Sequence, residues 1–262
     1  MKKLILNAEQ QRKIDFIQES PYSDFSPLLD FQIEDLAIYW SFYSGKIEGN
    51  TFSFVETETL LKDDVTPTRS YEDAVMLKNL YNAFISCVNQ IKKEGNMEIS
   101  SFNVKGLHAM ISDGLLPTQN RGQFRTMPIK ITGTPFIPER DPLAIEKTFQ
   151  EILAEQYDYD NPISRSIFLH CNIARLQPFI DGNKRTSRLV ESIALMNANI
   201  IPVRSDKEKD FLRYRDAIVH FFENEDYTPY IEYALDIQIQ RINELAPEKD
   251  QYGTSHDIGF KR

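Results

Sequence analysis

Residues 168–202 read FLHCNIARLQPFIDGNKRTSRLVESIALMNANIIP, two apolar helical patterns separated by a short polar turn. Asn161-Pro162 supplies a cap and a first-turn proline before the first pattern, and Pro202 closes the second. Apolar residues recur at helical spacing on both sides: Ile163, Ile167, Cys171 and Ala174 first, then Leu189, Val190, Ile193 and Ala194. The stretch predicts two consecutive helices joined by a turn over residues 177–185.

This turn carries groups that suit a polyphosphate. A helix N-terminus attracts anions through unpaired N–H groups, and Gly182 lets the backbone approach a ligand closely. Arg185 and Arg188 add forked donors on one helix face, and Asp181 is a hard ligand suited to Mg²⁺. The residues alone leave two interpretations open: a nucleotide di- or triphosphate site, or a glycine-containing turn with solvated arginines.

The same segment resembles the signature of the Fic (Fido) family, His-Pro-Phe-x-Asp/Glu-Gly-Asn-Gly-Arg-x-x-Arg. The matching positions are Pro178, Phe179, Asp181, Gly182, Asn183, Arg185 and Arg188. The resemblance implies a mainly α-helical Fic fold, a helical bundle with a β-hairpin flap. It also implies transfer of AMP from ATP to a hydroxyl of a target protein.

The resemblance also implies a role for each residue of the turn. Asp181 would hold Mg²⁺, and Asn183 with the helix N-terminus would form an anion hole. Arg185 would bind phosphate oxygens and Arg188 the γ-phosphate. The expected nucleotide-binding set is therefore Gly182, Asn183, Lys184, Arg185 and Arg188.

Two positions depart from the family pattern. Gln177 stands where the family has its general base, a histidine, and an amide cannot take up a proton near neutral pH. Lys184 stands in place of a glycine, where it would crowd the phosphate path or add a cation to it. The Asn-Lys-Arg order is similar to the Doc branch of the family, whose members phosphorylate and keep the histidine.

Residues 44–50, SGKIEGN, resemble the inhibitory motif of Fic proteins, Ser/Thr-x-x-x-Glu-Gly/Asn. By resemblance, Ser44 and Glu48 are inhibitory residues on a helix over about 33–48, and Glu48 pairs with Arg188. The motif precedes the Fic core, so the chain looks like the subgroup with an N-terminal inhibitory helix. The alternative is a surface glutamate near a helix end, which contributes little energy.

Residues 126–138, TMPIKITGTPFIP, give a strand pattern, because apolar and polar residues alternate on either side of a Thr-Gly-Thr turn. By position this looks like the β-hairpin flap of the Fic site. Ile129, Lys130 and Ile131 would bind a target segment by strand addition. The alternative is a hairpin that covers the core.

Composition narrows the class of protein. The chain has 262 residues, 41% hydrophobic and 26% charged, which is ordinary for a globular protein. Its net charge of −9 disfavours nucleic-acid partners. It has no apolar run long enough for a transmembrane helix, and its N-terminus turns polar too soon for a signal peptide. We expect a cytoplasmic protein in which Cys87 and Cys171 are reduced and buried.

We divide the chain into three regions: an N-terminal helical region over 1–100, a Fic core over 101–235, and a helix end with a polar tail over 236–262. The core holds the flap and the motif 177–188. Further helices are predicted over about 8–18, 71–93, 104–112, 143–156, 205–222 and 228–246. His108 and His170 lie among apolar residues and are predicted to be core histidines rather than substitute bases.

The function expected is a protein adenylyltransferase that uses ATP and Mg²⁺, is held inactive by Glu48, and is weak or inactive because of Gln177. Its partners would be a target protein with a Ser, Thr or Tyr hydroxyl and a second copy of itself, with no nucleic acid and no membrane. Two alternatives remain: a non-catalytic nucleotide-binding and partner-binding module, and a Doc-like phosphotransferase.

Overall fold

The computed structural model describes residues 1–65, 70–205 and 207–253. These residues form ten α-helices, so the mainly α-helical fold predicted from the sequence is confirmed. The helices are α1 (Ala8–Glu19), α2 (Asp30–Ile47), α3 (Phe54–Asp63), α4 (Tyr71–Glu94), α5 (Ser101–Ile111), α6 (Pro142–Glu155), α7 (Pro162–Leu176), α8 (Asn183–Asn197), α9 (Glu208–Asn224) and α10 (Thr228–Leu245).

Helices α7 and α8, the two predicted around the polar turn, pack against each other at the centre of the molecule. Nearly every side chain of α8 from Asn183 to Met196 is buried. In α7, Ile167, Phe168 and Leu169 have no solvent exposure. A helix enclosed on all sides is a core helix, and α4, α5, α6 and α9 supply the surrounding contacts.

Helix α2 lies beside this central pair and contacts α8 through hydrogen bonds. It packs on α4 and α9, and its Trp40 is fully buried and donates its indole N–H to the hydroxyl of Ser192 at 2.9 Å. Near its C-terminal end, a Cβ on Gly45 would lie 3.0 Å from a methyl of Leu77, so the small residue permits close contact with α4. The end of α2 therefore lies against α8, where Arg188 bonds the Ser44 carbonyl.

The chain leaves α2 through a turn fixed on both sides. Glu48 caps the helix, and Gly49 follows in the left-handed region with φ 89°, a conformation that favours glycine. Asn50 is buried; its side-chain nitrogen donates to the Asp73 carbonyl at 2.9 Å, and its oxygen accepts the N–H of Phe52 at 3.0 Å. These bonds hold the position of Glu48 relative to α4.

The helix predictions from the sequence agree with the structure to within a few residues. Ser53 and Glu56 form a capping box at the start of α3. The predicted polar tail runs into residues 254–262, and the helix predicted over 205–222 includes Asp206; these positions lie outside the described residues. The three-region division stays a prediction, and α10 continues without a break across its boundary at 235.

The β-hairpin predicted over 126–138 is not confirmed. The segment turns at Thr132-Gly133, but no strand is assigned on either side of that turn. The N–H of Phe136 bonds the Thr134 hydroxyl at 3.1 Å instead of a facing strand. Three further residues cannot donate to a ladder because they lack an N–H: Pro128, Pro135 and Pro138. The alternation of apolar and polar residues alone therefore predicted a pair of strands that does not form here.

Cys87 and Cys171 are free and buried, as predicted. In the ranges that the structure describes, no helix combines the length and apolar character needed to cross a membrane.

Candidate functional site

The polar turn connects the C-terminal end of α7 to the N-terminus of α8. Gln177 ends α7 in the left-handed region with φ 53°, which is unfavourable for a residue other than glycine. Its side-chain nitrogen donates to the Ala174 carbonyl at 2.6 Å, and its side-chain oxygen accepts from Asn183 at 3.1 Å. Both ends of the amide are engaged, so Gln177 stabilises the turn.

Asn183 closes the turn from the other side. Its side-chain oxygen accepts the N–H of Phe179 at 2.8 Å, and its nitrogen donates to the carbonyl of the same residue at 2.9 Å. Gly182 precedes it with φ 77°, and no side chain caps α8. The positive end of the helix dipole is thus left for an anion.

His108 of α5 lies beneath this turn with no solvent exposure. Its Nδ1 accepts the N–H of Gly122 at 2.9 Å, so the proton resides on Nε2, which donates to the Asp181 carbonyl at 2.9 Å. The ring stacks on Phe179 with centroids 3.8 Å apart. Burial lowers the pKa of His108 to about 4. His108 is therefore a neutral support of the turn, a role that its place on an apolar helix face did not reveal.

Only part of the Arg185 guanidinium has a hydrogen-bond partner. Its side chain is 5% exposed, and one terminal nitrogen lies 2.7 Å from the carboxylate of Asp181. Its Nε and Nη1 are buried and have no hydrogen-bond partner among the described residues. Because buried unpaired polar atoms are rare in folded proteins, these two nitrogens mark a place for an anion.

Asp181 itself is accessible, with 64% of its side chain exposed. In the described part of the chain, no group of three or more His, Cys, Asp or Glu side chains is arranged to hold a metal. Mg²⁺ is commonly bound by one or two carboxylates together with substrate phosphates, so the single carboxylate of Asp181 fits that ion only alongside a nucleotide.

Arg188 lies one turn further along α8 and is fully buried. Its Nη2 donates to the carboxylate of Glu48 at 2.8 Å and to the Ser44 carbonyl at 3.1 Å, and its Nη1 donates to the Tyr214 hydroxyl at 3.1 Å. The structure thus brings the two predicted inhibitory residues to Arg188. Ser44 contributes its carbonyl, whereas its buried hydroxyl has no partner in the described residues.

Glu48 also contacts the cation that replaces the family's glycine. Its second carboxylate oxygen lies 3.1 Å from the Lys184 ammonium. Burial alone would raise the pKa of Glu48, but the charges of Arg188, Lys184 and Arg185 outweigh it and lower the pKa to about 2. Glu48 is therefore ionised at neutral pH. Of the two effects expected for Lys184, crowding the phosphate path or adding a cation, the structure shows the added cation.

A buried polar network continues behind Arg188. The Tyr214 hydroxyl accepts from Arg188 and also forms a hydrogen bond with His170 Nε2 at 3.2 Å. On its other side, His170 Nδ1 lies 3.3 Å from Glu191, which accepts from Arg204 at 2.8 Å. The sequence placed His170 in the core, but it gave no sign that Glu191 and Arg204 would join the same network.

Arg125 connects the predicted flap to the turn. Its side chain is buried and donates from Nε to the Gln177 carbonyl at 2.6 Å, from Nη1 to the Met127 carbonyl at 3.1 Å, and from Nη2 to the Glu139 carbonyl. One guanidinium thereby holds both ends of the 127–139 segment. Of the three predicted target-binding residues, Lys130 is exposed, whereas Ile129 and Ile131 are partly buried.

Residues 98–195, which contain α5, α7, the turn and most of α8, match the model of the Fic/DOC family. The protein adenylyltransferase Fic of Drosophila willistoni is 26% identical over 202 residues, which cover 74% of this chain and 39% of that protein. The chain thus spans about two fifths of the length of the curated relatives it matches.

Solved structures share the fold. A Fic family protein from Desulfovibrio desulfuricans G20 superposes with a TM-score of 0.79 at 16% identity, over 94% of this chain and 76% of that one. IbpAFic2, crystallised in complex with adenylylated Cdc42, superposes with a TM-score of 0.57 at 11% identity, over 93% of this chain and 72% of that one. Residues 98–195 therefore form a Fic/DOC family domain, and the chain as a whole has the fold of the solved Fic family protein.

Proposed function

We propose that the turn binds a nucleoside triphosphate and that the protein transfers AMP from ATP to a hydroxyl of a target protein, slowly and under inhibition by Glu48. The observation that carries this proposal is Arg185, whose buried guanidinium keeps two unpaired nitrogens beside the uncapped start of α8. The name of the Drosophila relative, protein adenylyltransferase, supports the reaction type.

Different residues of the site would bind different parts of the nucleotide. Arg185 and the N-terminus of α8 would bind phosphate oxygens. Gly182 and Asn183 leave the backbone N–H groups at the start of α8 accessible to such a ligand. Asp181 would hold a Mg²⁺ ion shared with the nucleotide, and such an ion neutralises phosphate charge and orients the phosphates. Arg188 would reach the terminal phosphate only after Glu48 moves away.

Gln177 limits the chemical step. Its amide can orient a hydroxyl but cannot accept the proton that the hydroxyl must lose. Its nitrogen and oxygen already bond Ala174 and Asn183, which supports a structural role. This observation also favours a second function, a nucleotide-binding module that engages a partner without turnover.

The target would be a protein segment bearing a Ser, Thr or Tyr hydroxyl, held along Ile129, Lys130 and Ile131. The complex of the similarly folded IbpAFic2 with adenylylated Cdc42 supports a protein as the target class. Arg125 fixes the ends of this segment next to Gln177, so a bound hydroxyl would lie near the turn.

Labelled ATP tests the proposal. We would incubate the wild type and Glu48→Gly with lysate and with ATP labelled at either the α- or the γ-phosphate. We expect weak protein labelling from α-label with Glu48→Gly and none from γ-label. Labelling from γ-label would indicate phosphoryl transfer of the Doc type. Tight ATP binding by calorimetry without labelling would indicate the binding module, and no nucleotide binding by either protein would refute both.

A further inference from the structure

Two cations hold the Glu48 carboxylate, one on each oxygen. Oε1 lies 2.8 Å from Arg188 Nη2, and Oε2 lies 3.1 Å from Lys184 Nζ. The glutamate side chain is 16% exposed and that of Lys184 is 31% exposed, so the second contact is only partly shielded from water. An inhibitory residue anchored at both oxygens cannot rotate away from one cation without also leaving the other.

The helix explains why both cations reach the same carboxylate. Lys184 lies in the first turn of α8, and Arg188 follows four residues later on the same face. Like charges at this spacing repel each other, and here the carboxylate lies between them. When Glu48 leaves, another anion between the two cations would relieve this repulsion.

We propose that Lys184 determines nucleotide specificity at this site: it anchors Glu48 in the closed state and binds the terminal phosphate of a nucleoside triphosphate in the open state. This inference rests on the proposed nucleotide site. A triphosphate supplies an anion that can replace the carboxylate between Lys184 and Arg188. A diphosphate bound at Arg185 lacks that group, so it leaves Glu48 in place. The two cations thus select for the number of phosphates.

Calorimetry with ATP and ADP on four proteins tests this: the wild type, Lys184→Met, Glu48→Gln and the double variant. Methionine keeps most of the side-chain length and removes the charge. In the Glu48→Gln background, we expect Lys184→Met to weaken ATP binding by at least about tenfold and to leave ADP binding within about twofold. The gain in ATP affinity from Glu48→Gln should also be smaller when residue 184 is uncharged.

Two controls isolate the charge at this position. Lys184→Arg should keep the preference for ATP over ADP. Lys147→Met removes an exposed lysine on α6 and changes the net charge equally, and it should leave both affinities unchanged. Thermal unfolding of each variant verifies that it is folded before titration.

The outcomes separate this inference from the function on which it rests. If Glu48→Gln binds nucleotides and Lys184→Met leaves the ratio of ATP to ADP affinity unchanged, Lys184 does not bind the terminal phosphate. If the gain from Glu48→Gln is equal with and without Lys184, the lysine does not anchor the glutamate. If Glu48→Gln binds neither nucleotide, the proposed site itself is wrong and this inference fails with it.

Discussion

The guanidinium of Arg188 and the carboxylate of Glu48 lie 2.8 Å apart, although 140 residues separate them in the chain. Arg188 is fully buried, and its charge has no access to water. Removing one partner of a buried ion pair leaves the other charge uncompensated, which costs roughly 3–5 kcal/mol. Glu48 therefore connects the stability of the ligand-free protein to the state of the proposed nucleotide site.

Glu48→Gly should lower the thermal stability of the ligand-free protein and enlarge the stabilisation by ATP, because only the variant leaves Arg188 open to a phosphate. At ATP concentrations about 100 times the dissociation constant, binding contributes about 2.7 kcal/mol. Differential scanning fluorimetry with and without ATP measures both effects. Glu98→Gly, which replaces an exposed glutamate in the loop before α5, is the matched control. Equal ATP-induced shifts in Tm for wild type and Glu48→Gly would contradict the prediction.

Gln177→His should restore a general base and raise the rate of AMP transfer by ~10²–10⁴ in the Glu48→Gly background. Histidine tolerates the left-handed backbone found at this position, where φ is 53°. Initial rates with α-labelled ATP measure the change. Gln177→Ala removes the amide contacts without supplying a base and should not gain activity. A Gln177→His protein that binds ATP but transfers no faster would show that the base is not what limits this site.

Much of the site could be predicted because its signals are local. Helical spacing located α7 and α8, and the resemblance of two short motifs to those of the Fic family led to the expectation that Glu48 pairs with Arg188. The contact of Lys184 with Glu48 could not be predicted in this way, since it depends on where the C-terminal end of α2 lies relative to α8. The contacts of Arg125 are with backbone carbonyls, and a carbonyl has no residue identity that a sequence could reveal.

In the predicted flap, by contrast, the sequence pattern indicated strand pairing that the structure does not contain. Ile129-Lys130-Ile131 alternates as a strand does, yet paired strands also need N–H groups that face each other. Prolines at 128, 135 and 138 remove three of them, and the guanidinium of Arg125 ties the ends together in place of a ladder. Periodicity reports which side chains alternate, whereas the donors of the backbone decide whether a sheet forms.

Arg125→Lys should loosen the 127–139 segment, because an ammonium cannot reproduce the three directed donations of the guanidinium. Hydrogen–deuterium exchange should become faster in that segment and remain unchanged in α7. In transfer assays, the KM for the target protein should rise more than kcat falls. Arg140→Lys changes an exposed arginine beside the same segment and serves as the control. Unchanged exchange over 127–139 in Arg125→Lys would mean that other contacts hold the segment.

His108 should make stability depend on pH between about 6.5 and 4. Burial lowers its pKa from the ordinary 6.5 to about 4, so the unfolded chain takes up the proton first as the pH falls. The stability from neutral His108 is complete above pH 6.5 and is lost progressively down to pH 4, by roughly 3 kcal/mol in all. His108→Gln cannot titrate, and its amide carries one acceptor and one kind of donor, as does the neutral imidazole that bonds Gly122 and Asp181. Urea unfolding of both proteins at pH 7, 6, 5 and 4 isolates His108, since the other titrating groups are common to both. The gap between the two free energies of unfolding should change by that amount as the pH falls, and parallel curves would show that His108 does not titrate as its burial implies.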